Sequence, residues 1–150
     1  MIDEDDPDDF GERPQSGFTV DGDMRIAFYR FALAIYGYRC AITGQQFEQQ
    51  NGILHNELDV VAIHPRELDG PLEIDNVLVL ETDIGAAFGQ GLITVDDDYS
   101  VVIARPERLN DAQSGLVVAG RKLFLPGDPQ FQPSRKHLQF HRLVVALYNR

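Results

Sequence analysis

Residues 58–92 carry the ionisable side chains of this chain that could support hydrolysis. His64 could take a proton from an attacking water, as a general base does. Asp83 could hold a divalent cation, with Glu81 or Asp59 as a helper, because carboxylate oxygens suit hard cations. A base and a metal ligand near one another would predict metal-assisted hydrolysis. The elements that carry these residues decide whether the two can meet.

Short motifs surround these residues in a fixed order. Residues 40–44 read Cys-Ala-Ile-Thr-Gly, a tight turn. Residues 58–65 read Leu-Asp-Val-Val-Ala-Ile-His-Pro, and a short apolar strand is predicted from Leu58 to Ile63. A second strand is predicted from Val77 to Leu80, and a helix from Thr82 to Phe88 that is capped by Thr82 or Asp83.

This series resembles the HNH (ββα-metal) nuclease family, in the branch with a single-Cys Cys-x-x-Thr-Gly turn. The resemblance covers roughly residues 24–145, because residues 92–102 look like the hairpin that follows the metal helix and residues 122–126, 133–134 and 138–141 look like the C-terminal tail of this branch. The resemblance implies a site in which one divalent metal and a general-base histidine cleave a phosphodiester bond.

The chain departs from the family at the positions that carry this chemistry. Counting back from Pro65 places Ala62 where the family has its general-base histidine, and Asn76 stands at the family's middle Asn. Gly85 and Gly89 stand where the family has metal ligands. Alanine has no lone pair to accept a proton, and glycine has no side chain to hold a metal.

These losses predict a degenerate nuclease domain. Loss of the base alone typically lowers the rate by ~10²–10⁴, and loss of the metal removes several kcal/mol of charge stabilisation as well. We therefore expect no cofactor, no metal and no nuclease activity. The expected role is that of a regulatory module that binds a protein or nucleic acid.

A relocated active site is the main alternative. His64 lies two residues after Ala62, so both side chains would share a face if the strand reached that far, and Asp83 could then supply a ligand for an ion such as Mg²⁺. A shift of two residues moves a side chain by roughly 6.5 Å, whereas catalytic geometry tolerates about 0.5 Å. This distance argues against a relocated site.

The net charge of −11 and the pI near 4.6 argue against strong unaided binding of nucleic acid. Much of the acidic excess lies in residues 3–12, which lack the apolar content to fold alone. We predict an acidic, disordered tail over residues 1–20 and an HNH-nuclease-like domain over residues 21–150. A second alternative makes the tail a phosphate mimic, and the protein an acidic DNA-mimic inhibitor.

The C-terminal region holds the best basic cluster, whose candidate nucleic-acid-binding residues are Arg135, Lys136, His137 and Arg142. An ordinary solvated face, with His141 packed against the core, is an equally good interpretation. Any contact with nucleic acid is expected to be weak, and a protein partner is expected instead.

The cysteine content and the hydropathy of the chain bear on the cellular compartment of the protein. The single cysteine, Cys40, excludes an internal disulfide and a Cys-based zinc site, and a buried turn residue is expected. The acidic N-terminus lacks the pattern of a signal peptide, and no apolar run is long enough to span a membrane. These features predict a cytoplasmic protein.

The predicted fold class is α+β, with an HNH-like ββα-metal core, flanking N- and C-terminal helices and an additional β-hairpin. The N-terminal helix is predicted over residues 24–36 with Asp23 as its cap, and its apolar circumference suits burial in the core or across a homodimer contact. A hairpin is predicted across Asp96–Asp98, a short strand over residues 122–125, and a last helix over residues 134–148 with Ser134 as its cap.

Overall fold

The computed structural model describes residues 19–148. The chain divides into two compact units, residues 1–31 and residues 32–150, and all the candidate residues belong to the second unit. The acidic residues 3–12 lie outside the described part, so the tail over residues 1–20 and the domain over residues 21–150 stay predictions.

Helix α1 spans Thr19–Ile35, which corrects the predicted start at residue 24. Asp23 lies inside the helix and is not its cap, because Gly22 does not stop the helix: a helical glycine costs only about 1 kcal/mol relative to alanine. Gly37 ends the segment as predicted, with φ +66° and the Tyr38 amide donating to the Leu33 carbonyl at 3.0 Å.

Two antiparallel strands and a helix form the centre of the second unit. Strand β1 spans Leu58–Ala62 and strand β2 spans Val77–Glu81, with Leu58 opposite Glu81 and Ala62 opposite Val77. Helix α2 follows at once over Thr82–Gly89. Glu81 precedes the first helical residue without a side-chain cap, so the expectation of a Thr82 or Asp83 cap was wrong.

The turn of residues 40–44 packs against β2. The Glu81 amide donates to Cys40 Sγ at 3.3 Å, and the Ala41 amide donates to the Val79 carbonyl at 2.8 Å. Cys40 is fully buried and free, which confirms its interpretation as a buried turn residue.

The predicted hairpin is confirmed. Strand β3 spans Ile93–Val95 and strand β4 spans Val101–Ile103, paired antiparallel around a turn in which Asp96 accepts the amides of Asp98 and Ser100. The expected strand over residues 122–125 is reduced to a single bridge between Ser100 and Lys122.

Two further helices complete the unit. Helix α3 spans Asp111–Leu116 behind a capping box of Asn110 and Gln113. Helix α4 spans Arg135–Phe140 with Ser134 as its cap, as predicted, and continues as a π-helical segment over His141–Val145. Short 3₁₀ turns occupy Arg66–Leu68, Ile74–Asn76, Pro106–Arg108 and Pro129–Phe131.

The mixture of helices with two small antiparallel sheets confirms the α+β class. The core gathers β2, α2 and β3, where Leu78, Leu80, Ile84, Phe88 and Ile93 are fully buried. Among residues 19–148, no helix combines the length and the apolar character that a membrane span requires.

Candidate functional site

Asn76 shapes the loop between β1 and β2. Its Oδ1 accepts the His64 amide at 2.8 Å, and its Nδ2 donates to the carbonyls of His64 at 3.0 Å and Pro71 at 2.9 Å. The side chain is fully buried. Asn76 therefore holds both ends of residues 64–71 with three hydrogen bonds, a loop-shaping role and not a chemical one.

Helix α2 presents Gly85 to the β1–β2 hairpin. A Cβ atom on Gly85 would lie 3.1 Å from Val61 Cγ2, 3.8 Å from Leu80 Cβ and 4.0 Å from Asp59 Oδ2. Two of these three nearest atoms are aliphatic carbons. A side chain at position 85 would thus face β1, where Val61 is its nearest neighbour and the Asp59 carboxylate lies farther off.

Gly89 and Asp59 complete the surroundings of this helix face. Gly89 has open space where a Cβ would stand, so a side chain at this position would meet no neighbour within 4 Å. Partial burial raises the pKa of the Asp59 carboxyl. Asp59 is the one carboxylate among the three nearest neighbours of a Cβ at position 85.

His64 lies outside the strand. Strand β1 ends at Ala62, so the shared strand face on which a relocated base depended is not formed. The His64 ring stacks on Phe140, with ring centroids 3.6 Å apart and planes at 14°, and Nε2 donates to the Leu68 carbonyl at 2.7 Å. The imidazole is thus packed against α4.

Asp83 occupies a different place. It lines a surface pocket together with Glu57, Glu81 and Thr82. Glu81 also accepts a hydrogen bond from the Thr43 hydroxyl. The structure thus groups Asp83 with Glu81 at the start of α2. His64 instead contacts α4, and the Asp59 carboxylate lies near Gly85.

Alanine substitutions at the two glycines of α2 measure this geometry. Gly89→Ala is expected to stabilise the protein by about 0.5–1 kcal/mol, since the site is open and alanine is the better helix former. Gly85→Ala should raise the free energy of unfolding by less, because the new methyl group would press on Val61. Urea unfolding checks both, and a larger gain at position 85 than at position 89 would contradict the packing described.

The basic cluster is only partly exposed. Arg142 is 5% exposed and donates to the Val95 carbonyl at 3.0 Å and to Asp97 Oδ1 at 2.8 Å, and His137 is 4% exposed. Arg135 and Lys136 are exposed, with the Arg135 Nε donating to the Asp97 carbonyl at 3.0 Å. A role of the four residues in binding nucleic acid stays a prediction, with Arg135 and Lys136 as its accessible members.

His141 packs into the core, as the alternative interpretation expected. Its ring stacks on Phe88 at 3.8 Å, Nε2 donates to the Phe88 carbonyl at 2.8 Å, and the Thr94 hydroxyl donates to Nδ1 at 2.7 Å. Burial lowers the pKa of His141 to about 4, with a smaller contribution in the same direction from the nearby charge of Arg142, while the hydrogen bond to the Phe88 carbonyl acts in the opposite direction.

Protonation of His141 should make the protein less stable in acid. The pKa is about 4 when folded and about 6.5 when unfolded, so the unfolded chain binds the proton first as the pH falls. The free energy of unfolding should drop by up to about 3 kcal/mol between pH 7 and pH 4 from this group. His141→Gln should flatten that part of the pH profile in denaturant titrations, and parallel profiles for both proteins would refute the assignment.

A group that the sequence did not reveal lies beside α4. Glu73, Asp75 and His137 bring one potential ligand atom each to within 4.8 Å of one another. No motif spacing signals this meeting, because His137 is far from the two acids in the sequence and only the docking of α4 brings it near.

Comparison with known proteins finds a similar fold among solved structures but no match by sequence. No protein-family model and no curated protein matches the sequence. Among solved structures, a "Modification dependent TagI restriction endonuclease" is similar, with a TM-score of 0.54, 20% sequence identity and 77% of this chain covered. The match spans 36% of that protein's length. The likeness shows that this chain shares its α+β fold with part of that endonuclease.

Proposed function

We propose that this chain is an HNH-type nuclease domain that does not hydrolyse nucleic acid and acts as a binding or regulatory module. The observation that carries the proposal is the surroundings of Gly85, where the nearest atoms to a virtual Cβ are Val61 Cγ2 and Leu80 Cβ. A ββα nuclease needs a metal ligand pointing out of this helix and a base at the end of β1. Here those positions are Gly85 and Ala62.

The site is also packed as if no metal were required. Val61 and Ala62 give the end of β1 an aliphatic character, and the loop anchored by Asn76 presents His64 to Phe140. The chain therefore keeps Asn76, which shapes this loop, although Ala62 stands where the family has its general-base histidine. A fold can persist after its chemistry is lost, because function depends on the site and not on the architecture.

A binding role through a protein partner is supported by the surface beyond α4. Leu143, Val144 and Leu147 are 46%, 48% and 69% exposed. Large apolar side chains that are exposed close together often mark interaction sites. Nucleic acid remains the second route, through Arg135 and Lys136, and the net charge of −11 should keep it weak and sensitive to salt.

Plasmid cleavage tests the loss of activity. Purified protein with Mg²⁺, Mn²⁺ or Ni²⁺ should leave supercoiled plasmid intact, and His64→Ala and Asp83→Asn should behave like the parent protein. Cleavage that disappears in both variants would establish a relocated site and overturn the proposal. Cleavage that co-purifies with the chain and persists in both variants would also overturn the proposal, and would place the active residues elsewhere in the chain.

A further inference from the structure

A buried histidine and two carboxylates converge between α4 and the 3₁₀ turn before β2. His137 Nε2 lies 3.8 Å from Asp75 Oδ1. Glu73, Asp75 and His137 each offer one potential ligand atom, and these three atoms lie within 4.8 Å of one another. Glu73 is exposed and Asp75 is half-buried, whereas His137 is only 4% exposed. The group therefore has a closed side at His137 and an open side at Glu73.

The two inner atoms of this group have no hydrogen-bond partner. Asp75 Oδ1 and His137 Nε2 are both buried, and within the described residues neither makes a hydrogen bond. Their separation of 3.8 Å is too long for a bond to each other. Buried polar atoms are nearly always satisfied, and leaving one unsatisfied costs about 1–3 kcal/mol. The two unsatisfied atoms therefore lie side by side, 3.8 Å apart.

The backbone holds this arrangement in place. The Ser134 amide donates to the Asp75 carbonyl at 2.9 Å, and the His137 amide donates to the Ser134 carbonyl at 3.1 Å. Ser134 in turn caps α4 through the Lys136 amide. The two segments are therefore positioned by contacts that do not involve the three side chains themselves.

We propose that Glu73, Asp75 and His137 form a binding site for a divalent transition-metal ion of the Zn²⁺ class. Two carboxylates and a neutral imidazole supply a charge of −2 that the ion balances. Zn²⁺ accepts His nitrogen and Asp or Glu oxygen at about 2.0–2.2 Å, and a site with three protein ligands keeps one position for water. The open side at Glu73 provides that position.

The ligand set favours a transition metal over Mg²⁺ or Ca²⁺, because imidazole nitrogen suits the former and all-oxygen shells suit the latter. Two ligands of a tetrahedral Zn²⁺ stand roughly 3.4 Å apart, so the 3.8 Å between His137 and Asp75 needs only a small adjustment.

This site is separate from the lost site on α2, and it departs from the expectation of a metal-free protein. It would join α4 to the segment that precedes β2. Because Asp75 is next to Asn76, the ion would also brace the loop that Asn76 anchors. Zn²⁺ that binds only the folded chain should raise Tm with rising ion concentration.

Calorimetric titration of the full chain with Zn²⁺ tests the proposal, together with elemental analysis after dialysis and thermal unfolding. One ion per chain should bind saturably and raise Tm. Asp75→Asn and Glu73→Gln should each weaken binding by at least the roughly 10- to 100-fold seen when an outer-sphere partner of a metal site is lost, and should reduce the Tm rise.

Asp69→Asn is the matched control. Asp69 is an exposed acid on the neighbouring loop with φ +70°, a conformation that asparagine tolerates, so this variant should bind Zn²⁺ like the parent protein. Glu73 is exposed, so Glu73→Gln should fold even if Asp75→Asn does not. Equal Zn²⁺ binding by the parent protein and Glu73→Gln, or no saturable binding by the parent protein, would overturn the proposal.

Discussion

Gly70→Ala is expected to destabilise the protein by about 3 kcal/mol or more. A Cβ on Gly70 would lie 1.7 Å from the His64 carbonyl oxygen and 2.8 Å from that of Pro65, so backbone atoms must move to admit it. The Gly70 amide also donates to the Pro65 carbonyl at 2.9 Å, which holds the two ends of this turn together. Chemical denaturation followed by circular dichroism measures the loss.

Gly127→Ala provides the comparison, because a Cβ there meets nothing within 4 Å. Its stability should stay within about 0.5 kcal/mol of the parent protein. If Gly70→Ala were as stable as Gly127→Ala, the close approach of Gly70 to His64 would be wrong, and with it the account of the loop.

Asn76→Ala is the second substitution with a large expected effect. It removes three hydrogen bonds from a fully buried side chain and leaves the His64 amide and carbonyl without this partner. At about 1 kcal/mol for each bond, with a further cost for the unsatisfied groups, the loss should reach about 3–4 kcal/mol. Denaturant unfolding gives the value, and amide hydrogen exchange at Ile63 and His64 should accelerate.

Asn76→Asp and Asn56→Ala separate the causes. Aspartate keeps the shape of the side chain but replaces the Nδ2 donor with an oxygen that faces the carbonyls of His64 and Pro71, so it should also be strongly destabilising. Asn56 is exposed, and its truncation should cost at most about 0.5 kcal/mol. A mild effect of both Asn76 substitutions would mean that the loop keeps its shape without this residue.

The local elements of the fold could be predicted from the sequence. Short apolar runs rich in β-branched residues placed β1 and β2 to within a residue or so at each end, and the Asp96–Asp98 turn placed the hairpin. The hydroxyl of Ser134 identified the start of α4. These signals act over a few neighbouring residues, so they survive without knowledge of the tertiary structure.

Features that depend on tertiary contact were missed or misplaced. Helix α3 is an exception, since it was not predicted although Asn110 and Gln113 provide a local capping signal. The burial of Arg142 and the approach of His137 to Asp75 had none, because both follow from the docking of the C-terminal segment on distant residues. Side chains that looked like a solvated basic face are thus partly internal.

The candidate site shows the same contrast between what local sequence predicts and what tertiary contacts decide. Counting from Pro65 indicated which positions lack functional groups, and the structure shows Gly85 facing Val61. The sequence could not tell where His64 points, since that depends on the end of β1 and on Phe140. An absent side chain can be identified by alignment to a motif, whereas the direction of a remaining side chain requires the packed fold.

Site-resolved metal binding would show whether the positions of Ala62, Gly85 and Gly89 bind a metal ion, as a working nuclease site would. Mn²⁺ would be titrated into the isotope-labelled Glu73→Gln variant, in which the proposed site at His137 is weakened, and paramagnetic broadening of amide signals would be followed by NMR. The account predicts no saturable broadening centred on Ala62, Gly85 and Gly89. Saturable broadening centred on those residues would show that the face of α2 that meets β1 holds a metal, and would contradict the proposed absence of nuclease activity.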